Sequence, residues 1–185
     1  DGPPHHLFVG RFVPKKGIAG LADAVRHLRA AGDLTPVICI GDGPERPALE
    51  ALARDAGGVT LTGWLPPETV ATRMARAWSL LVPSVVAPDG DAEGLPSVIP
   101  EAMAQACPII GSAQGGIAEA VRHGETGLLV SPGDPAALAE AMHRLVSQPQ
   151  LRHGMGWAAF AHVRAHLNAS VQSAGLETLL LEVGT

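Results

Sequence analysis

The sequence contains no tyrosine, and aromatic residues make up 3% of its 185 positions. That scarcity argues against the stacking platforms on which single-stranded nucleic acids are held. Cysteine is nearly absent as well. Cys39 and Cys107 each stand in an apolar run, so two buried thiols in a reducing cytosol fit better than a disulfide framework. No run of 18 apolar residues occurs, which excludes a membrane-spanning helix, and no signal peptide is legible in the opening residues. Positive charge is in short supply. A net charge of −5 speaks against a broad nucleic-acid surface, while a few local cations could still hold a small anionic ligand. The histidines lack the Cys/His spacing of a metal site, so no metal is expected. His5 and His6 read equally as native residues or as remnants of an added tag.

What is present suits one globular domain. The chain is 46% hydrophobic and 17% charged, and its 22 glycines and 16 prolines gather at the ends of elements, as turns require. Short apolar runs at 6–10, 36–41, 59–63, 78–84, 108–112 and 127–131 read as strands. Between them lie amphipathic helical stretches at 17–32, 44–56, 67–76, 98–107, 116–124 and 135–147, followed by two more at about 150–166 and 169–182. Continuous apolar strands alternating with helices mean parallel pairing, with helices on both faces. The expected fold class is therefore α/β, a doubly wound, Rossmann-like parallel sheet of about six strands. Ligands of such sheets bind outside the carboxyl ends of the strands. Chemistry is therefore sought in the loops that follow the strands.

The first such loop, GRFVPKKG (10–17), puts Arg11, Lys15 and Lys16 in one short turn of an acidic protein, with Gly10 to bend the backbone. A diphosphate would find a guanidinium fork and ammonium groups there, although a solvated basic turn would look the same. GDGP (41–44) lacks the third glycine of a dinucleotide fingerprint. Gly43 could admit a base or ribose, or simply turn strand into helix. TGWLPPE (62–68) sets Gly63, Trp64 and Leu65 at a strand end, where an indole could pack a base or serve the core. The segment EGLPSVIPE (93–101) carries one carboxylate at each end. Glu101 falls near a helix start, where the macrodipole alone favours it. Glu93 has no such support, and it shares its loop with Asp89 and Asp91. Carboxylates accept paired hydrogen bonds from vicinal hydroxyls, as ribose and hexose offer. Gly94, Leu95, Ser97 and Val98 can present amides, and Pro96 breaks the backbone between the two carboxylates. SAQGGIAEAV (112–121) is either another backbone wall or an ordinary turn.

Taken in order, GRFVPKKG, GDGP, TGW, EGLPSVIPEAMA, GGIAEAV and TGLLVSPGD resemble the C-terminal donor-binding domain of retaining GT-B glycosyltransferases of family 4. The loop DGDAEGLPSVIPEAMA is most similar to transferases of capsular, colanic-acid or exopolysaccharide synthesis. The resemblance covers about residues 6–182. It implies a donor substrate, a nucleoside diphosphate sugar (UDP favoured, GDP open), and no cofactor or metal. Arg11 and Lys16 would hold the diphosphate, and Glu93 would bind donor-sugar hydroxyls. These three are the implied catalytic residues. Gly94, Leu95, Ser97 and Val98 would offer amides, Glu101 would hold the ribose, and Gly63, Trp64 and Leu65 would border the base. Gly10, Gly43 and Pro96 complete the implied binding set. Pro100 and Ala118 depart from the family pattern without removing a ligand group.

The resemblance also implies that residues 1–166 form the nucleotide-sugar domain. Residues 167–185 would form a helix returning toward an N-terminal acceptor domain that is missing from this chain. The whole enzyme would be cytoplasmic, meeting the inner face of the membrane only through that missing domain. The fragment alone would bind donor without transferring sugar. A binding subunit of a split enzyme, or a GT-B epimerase or phosphorylase relative, remain the alternatives.

Overall fold

A computed structural model describes residues 4–167 of the chain. The helix expected at 169–182 lies outside the described residues. Six strands form one fully parallel sheet: β1 (His5–Val9), β2 (Val37–Ile40), β3 (Val59–Gly63), β4 (Ala77–Val82), β5 (Ile109–Ser112) and β6 (Gly127–Val130). Their order across the sheet is β3-β2-β1-β4-β5-β6. The winding therefore reverses between β1 and β4, and the crevice for a ligand opens above that pair. Each strand is short and apolar, and each connection carries a helix, so both faces of the sheet are covered.

Helices α1 (Ile18–Ala30), α2 (Arg46–Ala56) and α6 (Pro135–Ser147) cover one face. Ile18, Leu21, Val25 and Leu28 recur at helical spacing along α1 and are fully or almost fully buried there. Burying an aliphatic side chain of this size stabilises the fold by about 1.5–3 kcal/mol each. Asp134 caps α6 by accepting from the Ala137 amide at 2.9 Å, and Pro135 opens its first turn. Helices α3 (Pro67–Arg76), α4 (Val98–Met103) and α5 (Gly115–Ala120) belong to the other face, built on Ile99, Met103, Ile109 and Ile117, and α7 (Pro149–His166) joins both cores, with Met155 in the first and Ala159 and Val163 in the second.

Two expectations shift. Helix α4 ends at Met103, not at residue 107, because Ala106 takes a left-handed conformation, with φ at 53°. Gly156 of α7 packs on this turn so closely that a Cβ there would meet the Ala106 carbonyl oxygen at 2.2 Å. His5 and His6 are not appendages. Both lie buried in β1. His6 pairs with Ser79 of β4 in register, and its Nδ1 lies 2.8 Å from the Ser79 hydroxyl. Burial pushes its pKa down to about 3. Cys39 and Cys107 are free and buried, and burial pushes both thiols up to about 12, which leaves them inert.

Candidate functional site

The two loops at the switch point are the ones that carry the basic turn and the EGLPSVIPE segment. After β1, Gly10 leads into a single 3-10 turn, Pro14–Lys16, which ends on Gly17 with φ at 70°. Gly17 sits against the chain leaving β4. A Cβ there would stand 1.9 Å from the Pro83 carbonyl oxygen, so no other residue fits. The Val85 amide donates to the Lys15 carbonyl at 2.9 Å, and the two loops are thus joined through backbone.

Side chains join them again. Lys16 Nζ donates to Glu93 Oε2 at 3.0 Å, in a pair whose side chains are 17% and 11% exposed. Lys15 Nζ donates to Asp91 Oδ1 at 3.1 Å, lies 3.0 Å from Asp91 Oδ2 and reaches within 3.6 Å of Glu93 Oε1. The hydrogen bond to Asp91 is the main cause that holds the Lys15 ammonium above its usual pKa. Arg11 is exposed, and its side chain has no ion pair or hydrogen bond among the described residues. Glu93, both lysines and the Arg11 guanidinium line one open cavity of ≈ 410 Å³. Its walls include Gly10, Arg11, Lys16, Trp64, Glu93 and Ser97.

A second cavity of ≈ 520 Å³ adjoins it on the α3–α4 side. Trp64 and Val9 line both. The second is otherwise mostly apolar, walled by Leu65, Val70, Met74 and Ala104, with Glu101 and Gln105 as polar groups at its edge. Trp64 is 60% exposed, an indole left uncovered in a protein with three tryptophans. The structure therefore separates a charged compartment at the switch point from an apolar one beside it. Glu93 stands in the first and Glu101 in the second.

Gly10, Arg11, Lys16, Trp64, Leu65, Glu93, Pro96, Ser97, Val98 and Glu101 thus line one or other cavity. Gly43 does not. It closes the β2–α2 turn on the backbone of Phe12, whose carbonyl oxygen a Cβ would meet at 2.5 Å. Gly63 ends β3, and its carbonyl accepts from the Gly41 amide at 2.9 Å. Gly94 and Leu95 rest on Gly115 and Gly116. A Cβ on Gly116 would meet the Leu95 amide nitrogen at 2.9 Å, and one on Gly115 would meet the Glu93 carbonyl oxygen at 3.0 Å. The glycine pair is therefore the floor under the EGLP loop, which the sequence alone left open. Sequence reasoning also passed over Lys15 and Asp91 as partners, since 76 residues separate them.

Among the described residues, no group of three His, Cys, Asp or Glu side chains is placed to hold a metal. No helix among them is long and apolar enough to cross a membrane.

Comparison with known proteins adds to this geometry. A family model described as glycosyl transferases group 1 matches residues 3–148. The chain is 35% identical over 146 residues to the amylovoran biosynthesis glycosyltransferase AmsK of Erwinia amylovora, which covers 77% of this chain and 36% of that protein. It superposes on sucrose-phosphate synthase of Thermosynechococcus elongatus with a TM-score of 0.80 and 30% identity, over 98% of this chain and 45% of the other. Anabaena HepE in complex with UDP-glucose matches with a TM-score of 0.72 and 25% identity, over 87% of this chain and 44% of the other. The chain spans less than half the length of each of these three proteins.

Proposed function

Since the chain belongs to the glycosyl transferases group 1 family, we propose that it is the donor-binding half of a retaining glycosyltransferase. The enzyme would move a sugar from a nucleoside diphosphate sugar to a hydroxyl acceptor, in the synthesis of a bacterial surface polysaccharide. One observation carries the reading. The charged compartment and the apolar compartment meet at the switch point and share Trp64 as a wall. A sugar nucleotide divides likewise, into a polar part of diphosphate and sugar hydroxyls and an aromatic base.

In this reading Arg11 and Lys16 take the diphosphate, and Glu93 accepts from hydroxyls of the donor sugar. The base rests against Trp64 and Leu65 near Gly63, and Glu101 accepts from the ribose hydroxyls. Amides of Gly94, Leu95, Ser97 and Val98 serve sugar and phosphate oxygens. Transfer with retention proceeds by attack of the acceptor on the face that the diphosphate leaves, through an oxocarbenium-like state. The chain's contribution is electrostatic: Arg11 and Lys16 stabilise charge as it develops on the departing diphosphate. A charge-assisted hydrogen bond of this kind contributes about 1.5–3 kcal/mol. Glu93 acts as a hydroxyl ligand and transfers no proton.

The acceptor site belongs to a second domain outside this chain, as does any contact with a membrane. UDP is the favoured nucleotide, since the solved relative with UDP-glucose shares this arrangement of the chain. Residues 1–166 are assigned to the nucleotide-sugar domain. Thermal shift of the chain against UDP, GDP, ADP and their glucose or mannose conjugates tests the reading. Stabilisation grows with the ratio of ligand to its dissociation constant, so a site of this kind gives a rise in Tm with at least one conjugate. No rise with any of them would overturn it.

A further inference from the structure

The turn Pro14–Lys16 holds two lysines, and the donor reading uses only Lys16. Lys15 is the cation left over, and it is not idle. Its carbonyl accepts from the Val85 amide at 2.9 Å, while its ammonium donates to Asp91 and lies 3.6 Å from Glu93 Oε1. One residue therefore grips the loop after β4 at two points, near its start at Val85 and in its middle at Asp91. The loop is closed on itself between those grips. The Ala87 amide donates to the Asp91 carbonyl at 2.8 Å, and the Asp91 amide donates to Asp89 Oδ1 at 3.0 Å. Whatever fixes Asp91 thereby fixes the approach to Glu93, two residues on.

The Glu93 carboxylate is divided between two ammonium groups, with Oε2 on Lys16 and Oε1 facing Lys15. A bound diphosphate competes with Glu93 for Lys16. Lys15, held by Asp91, is then the cation that keeps the carboxylate in the cavity.

We infer that Lys15 is a positioning residue, which through Asp91 fixes the loop carrying Glu93 and sets where that carboxylate meets the donor sugar. The inference rests on the donor-site reading above. It differs from a role as a third phosphate ligand in one respect. A phosphate ligand matters equally to nucleotide and to sugar nucleotide, whereas a residue that places Glu93 matters only when the sugar is present.

The test uses the 185-residue chain, UDP and UDP-glucose, with Lys15→Met, Asp91→Asn, the double variant and Lys15→Arg. Exposed ion pairs are individually modest, so each single variant should lose about two- to five-fold in UDP-glucose affinity. The double variant should lose no more than either single one, because the two residues act as a unit. UDP affinity should stay within about two-fold, and Lys15→Arg should restore UDP-glucose binding, since the charge is kept. In the unliganded protein, amide exchange across residues 85–93 should quicken in Lys15→Met and Asp91→Asn alike. Unchanged exchange with unchanged UDP-glucose affinity would overturn the inference. So would equal losses of UDP and UDP-glucose in Lys15→Met with none in Asp91→Asn, which would make Lys15 a phosphate ligand. If the unaltered chain binds neither compound, the donor-site reading fails, and the exchange measurement still decides whether Lys15 and Asp91 fix the loop.

Discussion

Lys16 Nζ lies 3.0 Å from Glu93 Oε2, 77 positions apart in the chain and with the switch point of the sheet beneath them. In the proposed donor site, a diphosphate approaching Lys16 would therefore share it with a carboxylate already in place. Arg11 is in the opposite condition, with no side-chain partner among the described residues to give up. Arg11→Ala should weaken UDP binding on the order of ten-fold or more, the loss of one charge-assisted interaction. Lys16→Met should weaken it less, since part of the Lys16 charge is spent on Glu93. Calorimetric titration with UDP measures both. Equal affinity in Arg11→Ala and the unaltered chain would remove Arg11 from the diphosphate site.

The two glycines of α7 should respond in opposite directions to the same substitution. Gly154 has nothing within 4 Å of where a Cβ would stand, and it lies exposed in the helix. Gly154→Ala should stabilise the protein by about 0.5–1 kcal/mol, the helix-propensity difference. Gly156 has the Ala106 carbonyl oxygen 2.2 Å from that point. Gly156→Ala must push α7 away from the end of α4, at a cost of about 1–3 kcal/mol. Urea denaturation of the two variants gives the comparison. A Gly156→Ala variant as stable as the unaltered chain would contradict the packing of α7 on the turn at 104–106.

Acid should destabilise the fold through His6. The folded chain holds this ring neutral, with its pKa lowered from 6.5 to about 3, first by burial. His5, Arg29 and Arg152 push in the same direction, while Asp33 opposes them. The unfolded chain binds a proton that the folded chain refuses, so stability is complete above about pH 6.5 and falls as the pH drops toward 3. The slope contributed by this one group is at most about 1.4 kcal/mol per pH unit. Chemical denaturation between pH 7 and pH 5 should show the loss. His6→Gln, which has no ionisable ring, should flatten the slope over that interval whatever its effect on stability at pH 7. An unchanged slope would mean that His6 is protonated in the folded protein.

The sheet was legible in the sequence because its strands are short, continuous apolar runs and each is followed by an amphipathic helix. All six strands fall where that pattern puts them, with ends displaced by a few residues. The limits of local pattern show at α4. Residues 98–107 read as one helix, yet the chain turns at Ala106, and no feature of the local sequence announces that α7 packs on that turn through Gly156. His5 and His6 are a similar case. Two adjacent histidines near the start of the chain carry no periodic signal, and only the register of β1 against β4 shows that His6 faces Ser79. In the site, the loops were identifiable from strand-end position and residue chemistry. The pairing of Lys16 with Glu93 and of Lys15 with Asp91 was not, because it depends on which two loops the reversal of winding sets side by side. The glycines tell the same story. Gly115 and Gly116 were ambiguous in sequence and prove to be the floor under Glu93 and Leu95. Gly43, read as a ligand position, packs on Phe12.

The proposed donor site divides its labour between two carboxylates on one segment, with Glu93 for the donor sugar and Glu101 for the ribose. Glu93→Gln and Glu101→Gln should separate when each is titrated with UDP and with UDP-glucose. Glu93→Gln should leave UDP affinity within about two-fold and cost UDP-glucose about ten-fold or more, the loss of a charged hydrogen-bond acceptor. Glu101→Gln should weaken both ligands by the same factor. Equal effects of the two substitutions on free UDP would contradict the division.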